Sequence, residues 1–488
     1  MKQVLKAYVI IFIAVTMGNL SALIIDHNCV SLPLIPASAI QQAKSSLHIA
    51  YTHTSHGSQI TTGMADLDTF MGGTGLYAWN DGPLAGSLDI DDYAMGSTDL
   101  GHEGDLSWYY QTIDYLDNPA NSRINVMMWS WCGGCSDNTS AGINTYLNAM
   151  NQLETAYPAI KFIYMTGHLD IWSDANLKAR NQQIRTYCIN NNKILYDFAD
   201  IESYNPEGVF YQYATDSCEY YADTYGNTWL GNWGTDWQTA YPTEWYNCEA
   251  QHTEPVNANL KAYAAWWMWA RLAGWNAQVT SDRFAYHTTA ARNYATVGVG
   301  MQFSGVGNNT ATKMTMAKIS GSPGTYGTLP TDITQISNTA YWTLHSSRGN
   351  VGNYSLTLNL SGVVSAADFP DICILKRNTD NTAWTNVSSY ISNRTYPNIT
   401  LSGLSSFGDF VTATGATLAS PVIQNITYSA NRIYVQWQPI SGATSYLVKS
   451  ATSPDGTFTT DTGGIFAGTT WSCPATAGKK FFRVVARN

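Results

Sequence analysis

The chain predicts an α/β domain on a parallel sheet, followed by two all-β sandwich domains, and three observations carry that expectation. Up to about residue 277, apolar β-branched runs alternate with stretches of helical period, the order that lays helices on both faces of a parallel sheet in three layers. From about residue 278 the pattern changes to short Thr/Ser/Val-rich runs separated by Gly, Asn and Pro, with hardly any helical period. The length of 488 residues also exceeds what one ordinary core organises.

Composition narrows the function classes. Only 12% of residues are charged, the balance is 25 basic to 35 acidic, and Tyr 31 and Trp 17 are high. Solubility therefore rests on Asn, Thr, Ser and Gly, as suits an extracellular protein, and no Lys/Arg cluster exists that could follow a nucleic-acid backbone.

The N-terminus, residues 1–22, reads as a secretory signal peptide: Lys2 and Lys6, an apolar run over residues 7–17, then Leu20-Ser21-Ala22 with small residues at the cut. No cysteine follows to take a lipid and no later run has membrane-spanning length, so the expected product is secreted without a membrane anchor. Residues 23–277 form the α/β domain. Strands are predicted over residues 47–51, 124–131, 161–166 and 193–199. Helices follow over 140–157, with Ile143, Leu147, Met150 and Leu153 at helical spacing, over 177–191, and over 257–275, whose Trp266, Trp267 and Trp269 read as core. Two insertions interrupt the alternation. Residues 71–105, rich in Gly and Asp, read as active-site loop; residues 202–247, dense in Tyr and Trp, offer aromatic faces to a sugar or acyl group or else pack over the rim. Within the second, Asp216, Glu219 and Asp223 lack the regular loop that calcium needs.

The all-β part divides near 417–420. Residues 278–417, with Tyr341-Trp342 and Tyr354-Ser355-Leu356-Thr357-Leu358, form one sandwich, similar to those appended to secreted bacterial enzymes. In residues 418–488, Trp437 and Tyr446 on neighbouring strands resemble the fibronectin type III pattern, in which such aromatics fill the space between the sheets.

All eight cysteines lie beyond the signal, where export permits disulfides. Cys218 and Cys248, which bracket the aromatic insertion, are the first candidate pair. Cys132 and Cys135, in Cys-Gly-Gly-Cys, read as structural or as a local disulfide rather than as a redox dithiol or half a zinc site.

Chemistry concentrates after the first predicted strand, where Thr52-His53-Thr54-Ser55-His56-Gly57-Ser58-Gln59 precedes a helix. Ser55 at that junction is either a helix N-cap or a nucleophile served by free N–H groups at the helix start. A serine nucleophile needs a base, and the base an orienting acid. Among His27, His48, His53, His56, His102, His168 and His252, the last is preceded three residues earlier by Glu249, in a loop just before the final helix.

These blocks carry a resemblance. Ser55 after one strand, Ser130-Trp131-Cys132-Gly133-Gly134 after a second, Gly167-His168-Leu169-Asp170 after a third, and the late acid-x-x-His resemble the SGNH/GDSL hydrolases over about residues 24–275. The stretches HIAYTHTSHGSQ, YMTGHLD and AAWWMWARLAGW are similar to a secreted bacterial subgroup with fibronectin-type tails. The resemblance implies a flavodoxin-like fold with Ser55 as nucleophile, His252 as base and Glu249 as acid. It implies oxyanion donors from the N–H groups of Ser55 and of Gly133 or Gly134. Two departures stand out: His53-Thr54-Ser55 replaces Gly-Asp-Ser, and Leu169 occupies the place of the family's asparagine donor, for which His168 is the substitute. His53, His56 and Asp170 are auxiliary candidates.

The expected function is a secreted serine esterase or deacetylase acting on acylated polysaccharide or small esters through a Ser-His-Glu triad, with no cofactor and no metal. The alternative is a carbohydrate-binding or adhesion protein that keeps the hydrolase fold without efficient chemistry. A metal hydrolase using His53, His56, His168 and Asp170 or Glu249 is the least favoured, because these lie on separate loops and no His-x-x-x-His helix is present.

Overall fold

The computed structural model describes residues 22–488 except 286–287, 306–310, 324–327, 348–351, 379–381, 416–419, 441–442, 444, 477 and 488. Residues 1–21 of the expected signal, and most of the expected boundary at 417–420, thus lie outside the described residues. Two compact units divide near residue 273.

The first unit holds a seven-stranded sheet made of β1 (Leu23–Ile25), β2 (His48–Thr52), β3 (Trp79–Asp81), β4 (Leu88–Asp92), β5 (Val126–Trp129), β6 (Lys161–Met165) and β7 (Ile194–Tyr196). Its order is β1-β7-β6-β5-β2-β4-β3 and every pairing is parallel. The four predicted strands are β2, β5, β6 and β7. Their side chains are buried along nearly the whole run, which is why they read as continuous apolar stretches rather than as alternation. The Gly/Asp-rich insertion is not all loop: it contributes the edge strand β3 and its neighbour β4, whose carboxylates hide them.

Strand order reverses at β2. From there the chain moves to β3 and β4 on one side and to β5, β6 and β7 on the other. In an open parallel sheet the crevice at such a reversal, beyond the carboxyl ends of the strands, is where ligands bind. The segments leaving β2 and β5 are those of Ser55 and Cys132.

Helices Ala37–Ser46 (α1), Ser58–Ala65 (α2), Ser107–Asp117, Ser140–Ala156, Asp174–Asn190 and Pro255–Leu272 clothe the sheet. The last carries Pro255 in its first turn, where the missing N–H costs nothing, and buries Trp266, Trp267 and Trp269, as expected of core. The aromatic insertion is organised by a small hairpin (Glu219–Tyr221 with Trp229–Asn232) and a helix at Trp233–Ala240. No helix among the described residues is long and apolar enough to cross a membrane.

The second unit is all antiparallel. A six-stranded and a five-stranded sheet share one core built on Met314, Met316, Trp342, Leu356, Leu358, Ile399 and Phe410. After it, a four-stranded and a three-stranded sheet enclose Val435, Trp437, Val448 and Trp471, with Tyr446 packed 5.2 Å from Trp437 between ring centroids.

Candidate active site

Five segments of the first unit converge. Between β2 and α2, residues 53–57 form a tight turn in which Ser58 N–H donates to Thr54 O (3.1 Å) and the buried Tyr51 hydroxyl donates to Gly57 O (2.8 Å). Gly57 has to be glycine: a Cβ there would stand 2.3 Å from Ser130 Oγ, so the turn lies directly on the segment leaving β5. Ser55 is not the helix cap, since α2 begins after Gly57 with no side-chain cap. Its hydroxyl is left for other use.

That use is His252. Its Nε2 lies 2.9 Å from Ser55 Oγ, across 197 residues of sequence. The histidine sits at φ +62°, a strained position for a residue with a side chain, in the turn before the helix Pro255–Leu272. Its ring stacks on His56 (4.3 Å between centroids, 10° between planes). The expected acid does not join it. Glu249 is exposed and makes no ion pair with the His252 ring, so the structure corrects the Ser-His-Glu arrangement to a Ser-His pair. The physical reason is local: the left-handed turn at His252 brings its exposed ring to Ser55 and leaves the Glu249 carboxylate in solvent.

The auxiliary histidines separate by role. His53, fully buried, has Nε2 on Asp92 (2.9 Å) and Nδ1 on Thr54 O (2.9 Å), so both nitrogens are spent on holding the turn. His168 directs Nδ1 to Leu169 O (2.9 Å), and burial together with the charge of His56 lowers its pKa. A neutral ring that donates from Nδ1 has only a lone pair at Nε2, so His168 presents an acceptor and does not replace the missing oxyanion donor. Asp170 caps the turn that follows it through Trp172 N–H (2.9 Å). Leu169 turns into a small apolar cluster with Ala199 and Ala214, under the aromatic insertion.

His56 is the hub. It stacks on His168 (3.7 Å, 2°) as well as on His252, directs Nε2 to Asp216 (2.9 Å) and Nδ1 to the Cys132 sulfur (3.2 Å). Burial opposes charge on the ring, but the hydrogen bonds to Asp216 and Cys132 overcome it and raise the pKa to about 9. Burial likewise opposes the Asp216 carboxylate, yet the His56 hydrogen bond holds its pKa below the usual value. On Cys132 the His56 hydrogen bond lowers the thiol pKa against burial, helped by Thr54 and by the Gly133 N–H. Of the expected oxyanion donors, Gly133 therefore faces sulfur. Gly134 is buried under the insertion, where a Cβ would collide with Gly101 O at 1.7 Å, and no group among the described residues takes the Ser55 N–H.

The cysteine expectations change accordingly. Cys132 and Cys135 are not bonded to each other: Cys135 is buried, donates to Asn181 (3.4 Å), and has its thiol pushed up to about 12 by burial. Cys218 and Cys248 are also unpaired, packed beside Thr253 and Asn259 respectively.

Underneath lies a buried network that the sequence reading missed. Lys261 Nζ and Glu202 Oε1 are 2.6 Å apart at zero exposure; the other Glu202 oxygen accepts Leu169 N–H (2.7 Å). Lys261 also donates to Gln59, whose amide reaches Gln251 O (2.7 Å), the residue before His252. One buried pair thus fixes both the Leu169 loop and the His252 loop. For a metal, ring nitrogens of His56 and His252 and a carboxylate oxygen of Asp216 lie within 4.8 Å of one another, but the hydrogen bonds to Asp216 and Ser55 already engage them.

No family model matches the chain, and no curated protein matches it significantly.

Proposed function

We propose that the chain is a secreted ester hydrolase of the SGNH type, with a flavodoxin-like three-layer domain followed by a β-sandwich and a fibronectin type III-like module. The observation that carries it is the 2.9 Å contact of Ser55 Oγ with His252 Nε2, at the carboxyl edge of the sheet where strand order reverses. His252 takes the hydroxyl proton as Ser55 attacks the acyl carbon, and the Ser55 N–H stands ready for the developing oxyanion. Water activated by the same ring then releases the acyl-enzyme.

An acylated polysaccharide is the substrate class that the rim supports. Trp172 is 85% exposed and Tyr225 is 75% exposed, and their loops abut where Gly226 backs onto Ile171. Exposed aromatic faces on adjoining loops suit sugar rings, and the same rim favours the second reading, a carbohydrate-binding protein without turnover. The deciding experiment treats the full chain with a fluorophosphonate and follows release of acetate from an acetylated oligosaccharide. Phosphonylation of Ser55 and a fall of about a thousandfold or more in Ser55→Ala are expected. Glycan binding with no adduct and no acetate release would leave the binding reading.

A further inference from the structure

We infer that Cys132, His56 and Asp216 form a second nucleophilic centre, a cysteine acyl-carrier site for thioesters and activated esters, beside the Ser55 pair. The geometry is a complete relay. The half-buried sulfur is 3.2 Å from His56 Nδ1, and the opposite ring nitrogen is 2.9 Å from a carboxylate oxygen of Asp216. Nucleophile, base and orienting acid stand in series, the arrangement that activates a thiol. Three segments contribute: the turn after β2, the segment after β5 and the aromatic insertion.

The environment favours the thiolate-imidazolium form. His56 lies against the sulfur and, with Thr54 and the Gly133 N–H, lowers the thiol pKa, while the His56 ring is raised to about 9. Facing the pair are His168 and His252, stacked on either contact of His56, with Asp216 at its far nitrogen, Asp99 behind Thr54, and Lys261 acting on Asp216. The neutral His168 ring leaves the positive charge on His56. Within the same Cys-Gly-Gly-Cys run, Cys135 is sealed against Asn181 and pushed the other way, so the fold prepares one thiol and silences its neighbour.

Leaving-group chemistry sets the substrate class. A thiolate that has attacked an alkyl ester is a better leaving group than the alkoxide and is expelled again, whereas a thioester or aryl ester releases a group as good as the attacking sulfur. The sulfur lone pair forms the S–C bond. The bond to the leaving group breaks with its electron pair, and the leaving group takes the proton from His56 Nδ1. The neutral ring then removes a proton from water, hydroxide attacks the thioester, and Cys132 departs as thiolate; the net reaction is hydrolysis of the donor to acid and thiol or phenol.

The test uses the full native chain, with the other seven thiols as internal reference. Iodoacetamide at pH 6 to 7, followed by peptide mass spectrometry, is expected to modify Cys132 at least about tenfold faster than any other cysteine, because its thiolate persists below the ordinary range. His56→Gln should remove that advantage. In Ser55→Ala, p-nitrophenyl acetate followed by an acid quench should leave an acetyl group on Cys132. The proposal is overturned if Cys132 reacts no faster than the rest, if its rate climbs only near pH 8 to 9 as for an unperturbed thiol, or if a reactive Cys132 never carries acetyl. Failure of the serine reading would show separately, as absence of the Ser55 adduct.

Discussion

The serine-histidine and cysteine-histidine pairs of the first unit share one stack of imidazoles and differ in what lies behind each ring. Ser55 meets His252, which is exposed and has no carboxylate paired to it; Cys132 meets His56, which is buried and tied to Asp216. The serine pair has the proximity and lacks the orienting acid, whereas the cysteine pair has both. What separates them is a carboxylate delivered by a long insertion, because the acid three residues from His252 stays in solvent. Sequence nearness did not assemble the relay; tertiary packing did.

The largest expected effect comes from the buried pair that underlies the serine half. Lys261→Met would leave Glu202 charged and unpaired at zero exposure, and breaking such a pair costs about 3–5 kcal/mol. The α/β unit of the full chain should lose that much in urea unfolding, and fluorophosphonate labelling of Ser55 should fall with it, because Gln59 and Gln251 lose their anchor. The double change Lys261→Met, Glu202→Gln should recover part of the stability, since no uncompensated charge remains. A single variant as stable as the parent would show that the network does not set the His252 loop.

Next in size is Asp216→Asn, directed at the cysteine half. With the carboxylate gone, the pKa of His56 should fall from about 9 towards the ordinary imidazole value, and the Cys132 thiol should rise as the facing charge fades. The sign follows: the ion pair survives only between the two pKa values, and the substitution narrows that window from both ends. Alkylation of Cys132 at pH 6 should drop by about tenfold or more, one unit of pKa being worth about 1.4 kcal/mol. An unchanged pH profile would mean that Asp216 positions the ring without tuning it.

The sequence made legible whatever rests on local pattern. The four central strands showed as apolar runs because both their faces are covered, and Ser55 showed because a strand halts there before a helix. Strands β1, β3 and β4 were missed. Two are three residues long, and β4, Leu-Asp-Ile-Asp-Asp, carries carboxylates that pair with His48, His53 and Arg123 instead of facing water. His252 was found through its acid-x-x-His spacing, although the acid takes no part. Asp216 carried no periodic signal within an aromatic insertion. Cys132 follows β5 as Ser55 follows β2, but the Cys-Gly-Gly-Cys spacing points to a structural role or a local disulfide instead. A further signal lay in the last helix: a lysine in the middle of an Ala/Trp-rich apolar run has to find a buried counter-charge.

The smallest expected effect sharpens the comparison most directly. The acid-x-x-His spacing puts forward Glu249 as the acid of the serine half; the structure leaves it exposed and unpaired with His252. An exposed carboxylate contributes about 0–1 kcal/mol to a nearby cation, so Glu249→Gln should change acetate release less than about fivefold. Removal of an orienting acid that holds the ring would instead cost about ten-thousandfold. The two outcomes differ by orders of magnitude in one steady-state assay. A loss of the larger kind would mean that the His252 turn rearranges when substrate binds and brings Glu249 to the ring, making the serine half a full triad only in the complex.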